Sequence, residues 1–197
     1  MYFPLLSGSC PSTRHPSTMI SNTRDISVLD APLKSLLAQE FSLAQLEELE
    51  LGAALPRFDD ETAFELGCFI RQEARKMYPE KCVTIDVSLP SRHCLFRATS
   101  INGSSLDNTK WVQRKQNTVF RFNHSTYFIR MKKGDIPMEQ RFFIPAEEYA
   151  FHGGAVPIYV KGVSFPVACL TISGLQQNED HFLATAALQQ FQKDLQE

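Results

Sequence analysis

The chain has 197 residues, 43% of them hydrophobic and 21% charged, with 20 Lys and Arg against 22 Asp and Glu and a formal charge of -2. That length and composition exclude a disordered or fibrous chain and allow one ordinary core without metals or disulfides. The near-neutral charge excludes a nucleic-acid binder that works through a broad basic field, and no run approaches the roughly 18 apolar residues of a membrane span.

The five cysteines, Cys10, Cys68, Cys82, Cys94 and Cys169, show no CxxC or other zinc-type spacing and are odd in number. A reducing intracellular compartment follows, and cytoplasmic localisation is the expectation. The first 25 residues, "MYFPLLSGSCPSTRHPSTMISNTRD", are rich in Ser, Thr and Pro and lack an acid before Asp25. This composition resembles a transit peptide, which leaves organelle targeting as the alternative. Pro4, Pro11 and Pro16 interrupt any amphipathic helix there. The expected division is a disordered tail over 1–40, with Met19 as an alternative start, and one domain over 41–197.

In chain order, Ser42 is placed to cap a helix over "SLAQLEELEL", with leucines near helical spacing. Asp59 is placed to cap "DDETAFELGCFIRQEARKMY", whose Ala63, Leu66, Ile70, Ala74 and Met77 share a face and which Pro79 closes. "CVTIDVSL" alternates as a half-buried strand and pairs with "HCLFRAT" in an antiparallel hairpin. "DNTKWVQRKQNTVFRF" predicts a helix of about four turns. Trp111, Thr118 and Phe122 form one stripe on it, and Lys110, Arg114, Asn117 and Arg121 form another.

"STYFIRMKKGD" reads as a short helix or an extended piece, and "MEQRFFIPAEEYAFHGG" as a mostly irregular connection with a helical turn after Pro145. "VPIYVKG" and "PVACLTISG" read as strands, the second apolar on both faces and so central. A last helix runs over "EDHFLATAALQQFQKDLQ" with Asn178 as its cap. Paired strands separated by helices imply an antiparallel or mixed sheet with helices on its faces, not a βαβ wind. The fold class is α/β of the α+β type, a single three-layer domain with an antiparallel sheet of about five strands.

The stretches "RFDDETAFELGCFIRQEA", "LDNTKWVQRKQNTVFRF", "HGGAVPIYVKG" and "TISGLQQNEDHFLATAAL", in this order over about residues 42–195, resemble an uncharacterised protein family of bacteria and fungi. That family sits in the haem-degrading-like superfamily beside HbpS, GlcG and the C-terminal domain of PduO. The resemblance implies a flanked antiparallel sheet and homo-oligomeric assembly, often rings of dimers. It also implies that distant relatives bind haem or cobalamin. One departure is that "SGLQQ", residues 173–177, lacks the proline of a family pattern "SGLPQ", which loosens the turn before the last helix.

His152, followed by Gly153 and Gly154, is the sharpest site candidate. Glycines permit close backbone approach or convergent N–H groups, and a neutral imidazole can ligate iron or cobalt or move a proton. The same triplet equally serves a plain turn before a strand. Lys110, Arg114 and Arg121, with Lys115 nearby and Trp111 beside them, can hold carboxylates or phosphate, or be a solvated face or subunit contact. Asp180 and His181 can form an acid–base pair. The alternative sets Asp180 against the helix dipole and His181 at the surface or an interface.

Asp59, Asp60 and Glu61 belong to a helix start rather than a metal site. His93 and Cys94 point to opposite faces of a strand, so Cys94 and Cys82 read as core cysteines. Phe64, Trp111, Phe120, Phe122, Phe142 and Phe143 can wall a tetrapyrrole pocket or be ordinary core and subunit contacts.

Two function classes compete. One is an oligomeric domain that binds a small ligand, haem or another tetrapyrrole first and an anion second. The other is a non-enzymatic interaction protein, for instance a partner of chaperone or protein-targeting machinery, in which symmetry supplies avidity. Enzymatic haem breakdown has only the superfamily resemblance behind it, and a fold does not determine a chemistry.

Overall fold

The computed structural model describes Ile26 and residues 31–196. Strands β1 (Thr84–Ser88), β2 (Cys94–Thr99), β3 (Ala155–Ile158) and β4 (Ala168–Ser173) form one sheet in the order β2-β1-β4-β3, with every neighbour pair antiparallel. The sheet has four strands where about five were expected. A single parallel bridge from Leu55 to Val160 extends the β3 edge without making a fifth. Helices α1 (Ala31–Ala38), α2 (Leu43–Gly52), α3 (Asp60–Met77), α4 (Leu106–Phe122), α5 (Thr126–Lys133), α6 (Met138–Phe142) and α7 (Gln177–Asp194) complete the described residues.

The helix starts follow local chemistry. Ser42 and Gln45 form a reciprocal capping box on α2. Asp59 Oδ1 accepts from the amide and hydroxyl of Thr62 at 2.8 and 2.6 Å, which occupies that carboxylate as a cap and holds it below its usual pKa. The cap of α7 is Gln176, boxed with Glu179, not Asn178. Asn178 instead donates to Leu37 O at 2.9 Å and ties α7 to α1. Helix α1 lies inside the stretch assigned to a tail, yet its Leu33 and Leu36 are buried in the main core. The expectation for residues 1–25 lies outside the described residues.

The two faces of the sheet differ in chemistry. Ile85, Val87, Leu170 and Ile172 belong, with residues of α3 and α7, to one apolar core. The alternate residues, Thr84, Asp86 and Ser88 on β1 with Cys169 and Thr171 on β4, lie under α4 and are also buried. Strand β1 is therefore buried on both faces rather than half-buried. Its polar positions face another helix instead of solvent. Asp86 there accepts from Ser88 Oγ at 2.6 Å, from Gln116 Nε2 at 2.5 Å and from Arg97 Nε at 2.7 Å, the partners a buried carboxylate requires.

"STYFIRMKKGD" is helical, with Ser125 capping α5 through the Phe128 amide. Thr126 Oγ1 exchanges hydrogen bonds with both the carbonyl and the amide of Ala155, so this helix start covers the β3 edge. Among the described strands β2 is the more open edge, with Cys94 and Arg97 exposed.

Candidate functional site

Helix α4 and the 151–154 turn meet beside the start of β3. The buried residues of α4 are Val112, Lys115, Gln116, Thr118 and Val119. Trp111 is left half-buried beside them, with its Nε1 donating to Asp107 at 3.1 Å. His152 is exposed between buried Phe151 and Gly153, and its ring meets Trp111 edge-on at 5.0 Å between centroids. The Arg114 guanidinium lies 4.7 Å over the Trp111 ring and donates to Ala146 O at 2.8 Å. Its Nε is buried and has no hydrogen-bond partner among the described residues. Partial burial, followed by the positive charges of Lys115, Arg130 and Arg114, holds the His152 imidazole below its ordinary pKa. A neutral ring with a nitrogen available to a ligand results at pH 7.

The glycines have a different task from the expected one. A Cβ on Gly153 would lie 2.3 Å from Gln177 O, and Gly154, at φ +116°, would place one 2.4 Å from Ile172 O and 2.8 Å from Lys115 Nζ. Both glycines thus let the turn press against α7 and β4. The Gly154 amide donates to His181 Nδ1 at 3.4 Å, and its carbonyl accepts from Ile172 N at 2.7 Å. Those backbone groups are engaged internally, not presented to an anion.

Directly behind this turn is a buried polar centre. Lys115 Nζ donates to Asp180 Oδ2 at 3.0 Å and to Ile172 O at 2.9 Å, while Asp180 Oδ1 accepts from the Leu175 amide at 3.0 Å. Burial pushes the lysine amine down and the carboxyl up, and each partner resists the shift of the other. His181 is buried, not at the surface or an interface, and meets Tyr127 edge-on at 5.1 Å. Burial, with Lys115 adding to it, drops its pKa to about 3. Asp180 bonds Lys115 while His181 bonds Gly154. As consecutive helix residues they do not face one another.

The remaining candidates are dispersed. Lys110 is exposed one turn before Arg114. Arg121 is seven residues beyond Arg114, about 10 Å along the axis at 1.5 Å per residue, and sits over the Phe122 and Tyr149 rings. Phe122, Phe142 and Phe151 form one aromatic group, Phe64 pairs with Phe96, and Phe143 is 87% exposed, so the six aromatic candidates do not wall one pocket. Cys94 is exposed rather than core. Burial first, then the Asp86 carboxylate 3.5 Å away, keeps its thiol protonated. Cys169 is a core thiol pushed up to about 12.

Sequence reasoning placed Lys115 with the surface cations and missed its partner. The available signal was its phase, three residues after Val112 and four before Val119 on the buried face of α4.

Residues 58–189 match the family profile described as haem degrading protein HbpS-like. The UPF0303 protein YBR137W of Saccharomyces cerevisiae is 48% identical over 162 residues, which are 82% of this chain and 90% of that protein. The crystal structure of Ybr137w protein superposes with a TM-score of 0.82 at 46% identity, covering 86% of this chain and 99% of that one. The PduOC:Heme complex shares the fold at a TM-score of 0.54 and 13% identity, covering 68% of this chain and 94% of the other. With its four-stranded antiparallel sheet between helices and this extent of match, the chain belongs to the HbpS-like haem degrading protein family.

Proposed function

We propose that this protein binds a planar, carboxylate-bearing ligand of the tetrapyrrole type, haem being the leading case, at the surface formed by His152, Trp111 and Arg114. The observation that carries the reading is the exposed, neutral imidazole of His152 set edge-on to Trp111, beside an arginine whose Nε lacks a partner among the described residues. The residue types fit the group. Neutral imidazole is a common axial ligand of haem iron, the indole offers an apolar face, and Arg114 with Lys110 can hold carboxylates. When bound, the iron supplies an open coordination position, and His152 would be its ligand. A protein of the same fold is known as a complex with heme, which supports the reading at the level of the fold.

Titration of the purified chain with haemin tests it. A Soret band that saturates near one haem per chain and is lost in His152→Ala supports the assignment. An undiminished band in that variant, with His124→Ala as a control, removes His152 from the site.

Self-association is the second part of the reading. Phe143, in the left-handed region at φ 56° and 87% exposed, and Leu106, 77% exposed, are apolar groups that a second copy can cover. A native mass of a single chain at micromolar concentration would reject it. An interaction role with another protein draws on the same surfaces, and affinity purification that recovers only this chain would count against that role.

A further inference from the structure

We propose a second binding site, for the phosphate group of a small soluble phosphomonoester, in the cleft between the last turns of α3 and the residues that leave β2. The cleft measures about 290 Å³ and is lined by Arg71, Arg75, Thr99, Ser100, Ile101 and Asn102. It belongs to the α3 side of the fold, whereas His152 lies against α4, so it stands independently of the tetrapyrrole reading.

Arg71 Nε donates to Thr99 O at 2.8 Å, which fixes the plane of its guanidinium. Its terminal amino groups are left without an acceptor among the described residues. Arg75, one turn on and exposed, forms no ion pair or hydrogen bond among them either. Residues four apart on a helix are neighbours on one face, and two like charges there repel. An occupant with two negative charges turns that repulsion into attraction.

Helix polarity explains only half of the pair. Arg75 is in the last turn of α3, where a cation suits the negative end of the dipole, but Arg71 is six residues before the final Met77, beyond the reach of that effect. Ser100 takes no part in binding, since its hydroxyl already bridges Val83 N and Lys81 O at 2.9 Å each. The exposed Asn102 amide is the polar side chain available beside the two guanidinium forks, since Thr99, paired with Thr84, turns its hydroxyl to the α4 face of the sheet. A monocarboxylate has two oxygens, which a single guanidinium satisfies, whereas a phosphate dianion has three terminal oxygens and can engage both forks together. Five of the six lining residues are polar or charged, which favours a soluble phosphate over a lipid headgroup.

Calorimetric titration of the full chain with inorganic phosphate, at ionic strength held constant with chloride, tests the site. One saturable event per chain is expected. The affinity should fall roughly tenfold or more in Arg75→Gln and further in the Arg71→Gln, Arg75→Gln double variant, because each removes a charge-assisted hydrogen-bond donor set. It should be unchanged in His152→Ala. Arg75 is exposed and makes no internal bond, so its variant folds normally and remains informative if loss of the Arg71 to Thr99 bond destabilises the double variant. Glucose 6-phosphate should compete. Absence of saturable binding, or equal affinity in folded Arg75→Gln, overturns the proposal. So does co-sedimentation with phosphatidic acid vesicles that soluble phosphate fails to displace.

Discussion

Lys115 and Asp180 lie 65 residues apart in the chain and meet at 3.0 Å in the interior, with side chains 3% and 4% exposed. The pair joins α4 to the first turn of α7, and through the Ile172 carbonyl it also grips β4. Removing one member strands the other as a buried charge. Lys115→Met should therefore cost about 3–5 kcal/mol, and the double variant Lys115→Met, Asp180→Leu should be more stable than either single one. Denaturant midpoints of the four proteins check this, and a double variant no better than the singles would refute the pairing energetics.

His181 makes stability depend on pH. Its folded pKa of about 3 lies below the unfolded 6.5, so between those values the unfolded chain holds a proton that the folded chain does not. Stability from this group is present above pH 6.5 and is lost as pH falls toward 3, at up to about 1.4 kcal/mol per pH unit. His181→Gln should flatten the slope between pH 6.5 and 5, where few carboxylates titrate. Urea unfolding across that window reads it directly, and equal slopes in the two proteins would be the contrary result.

The glycines of the turn should respond very differently from one elsewhere. Gly154→Ala places a Cβ against Ile172 O and Asp180 at a φ that alanine rarely adopts, so a loss of about 1–3 kcal/mol or more is expected. Gly52, at the end of α2 with no atom near its added Cβ and no positive φ, should gain about 0.4–1 kcal/mol on substitution by alanine. Thermal melts of both variants test the contrast.

If His152 ligates haem iron, protons should compete for the imidazole only at low pH. Burial and the charges of Lys115, Arg130 and Arg114 hold its pKa below 6.5. Haemin binding should accordingly persist through pH 6.5 and decline with a midpoint below it. The Soret amplitude against pH shows the midpoint, and a midpoint above 6.5 would contradict a cation-depressed histidine ligand.

Much of the fold was legible in the residues. Ser42 and Asp59 announced two helix starts, because a side chain that satisfies an orphan amide three residues on is a purely local event. The alternation in "CVTIDVSL" and the double-sided apolarity of "ACLTIS" located β1 and the central β4 for the same reason, since a period of two is written along the chain. The α7 cap was misplaced by two residues because Asn178, a good cap by type, is drawn away by the Leu37 carbonyl from a distant helix.

For the candidate site, the "HGG" turn, the tryptophan and the arginines of α4, and an antiparallel sheet flanked by helices could be read along the chain. Which of those groups meet was settled by the packing of the folded protein. It turned Lys115 inward to Asp180 and buried His181. It committed both glycines to packing, separated Arg121 from Arg114, and set His152 against Trp111. Helical phase says which residues share a face. What that face meets depends on contacts between elements distant in the chain, and those contacts decide whether a charge is solvated, paired or left free to bind.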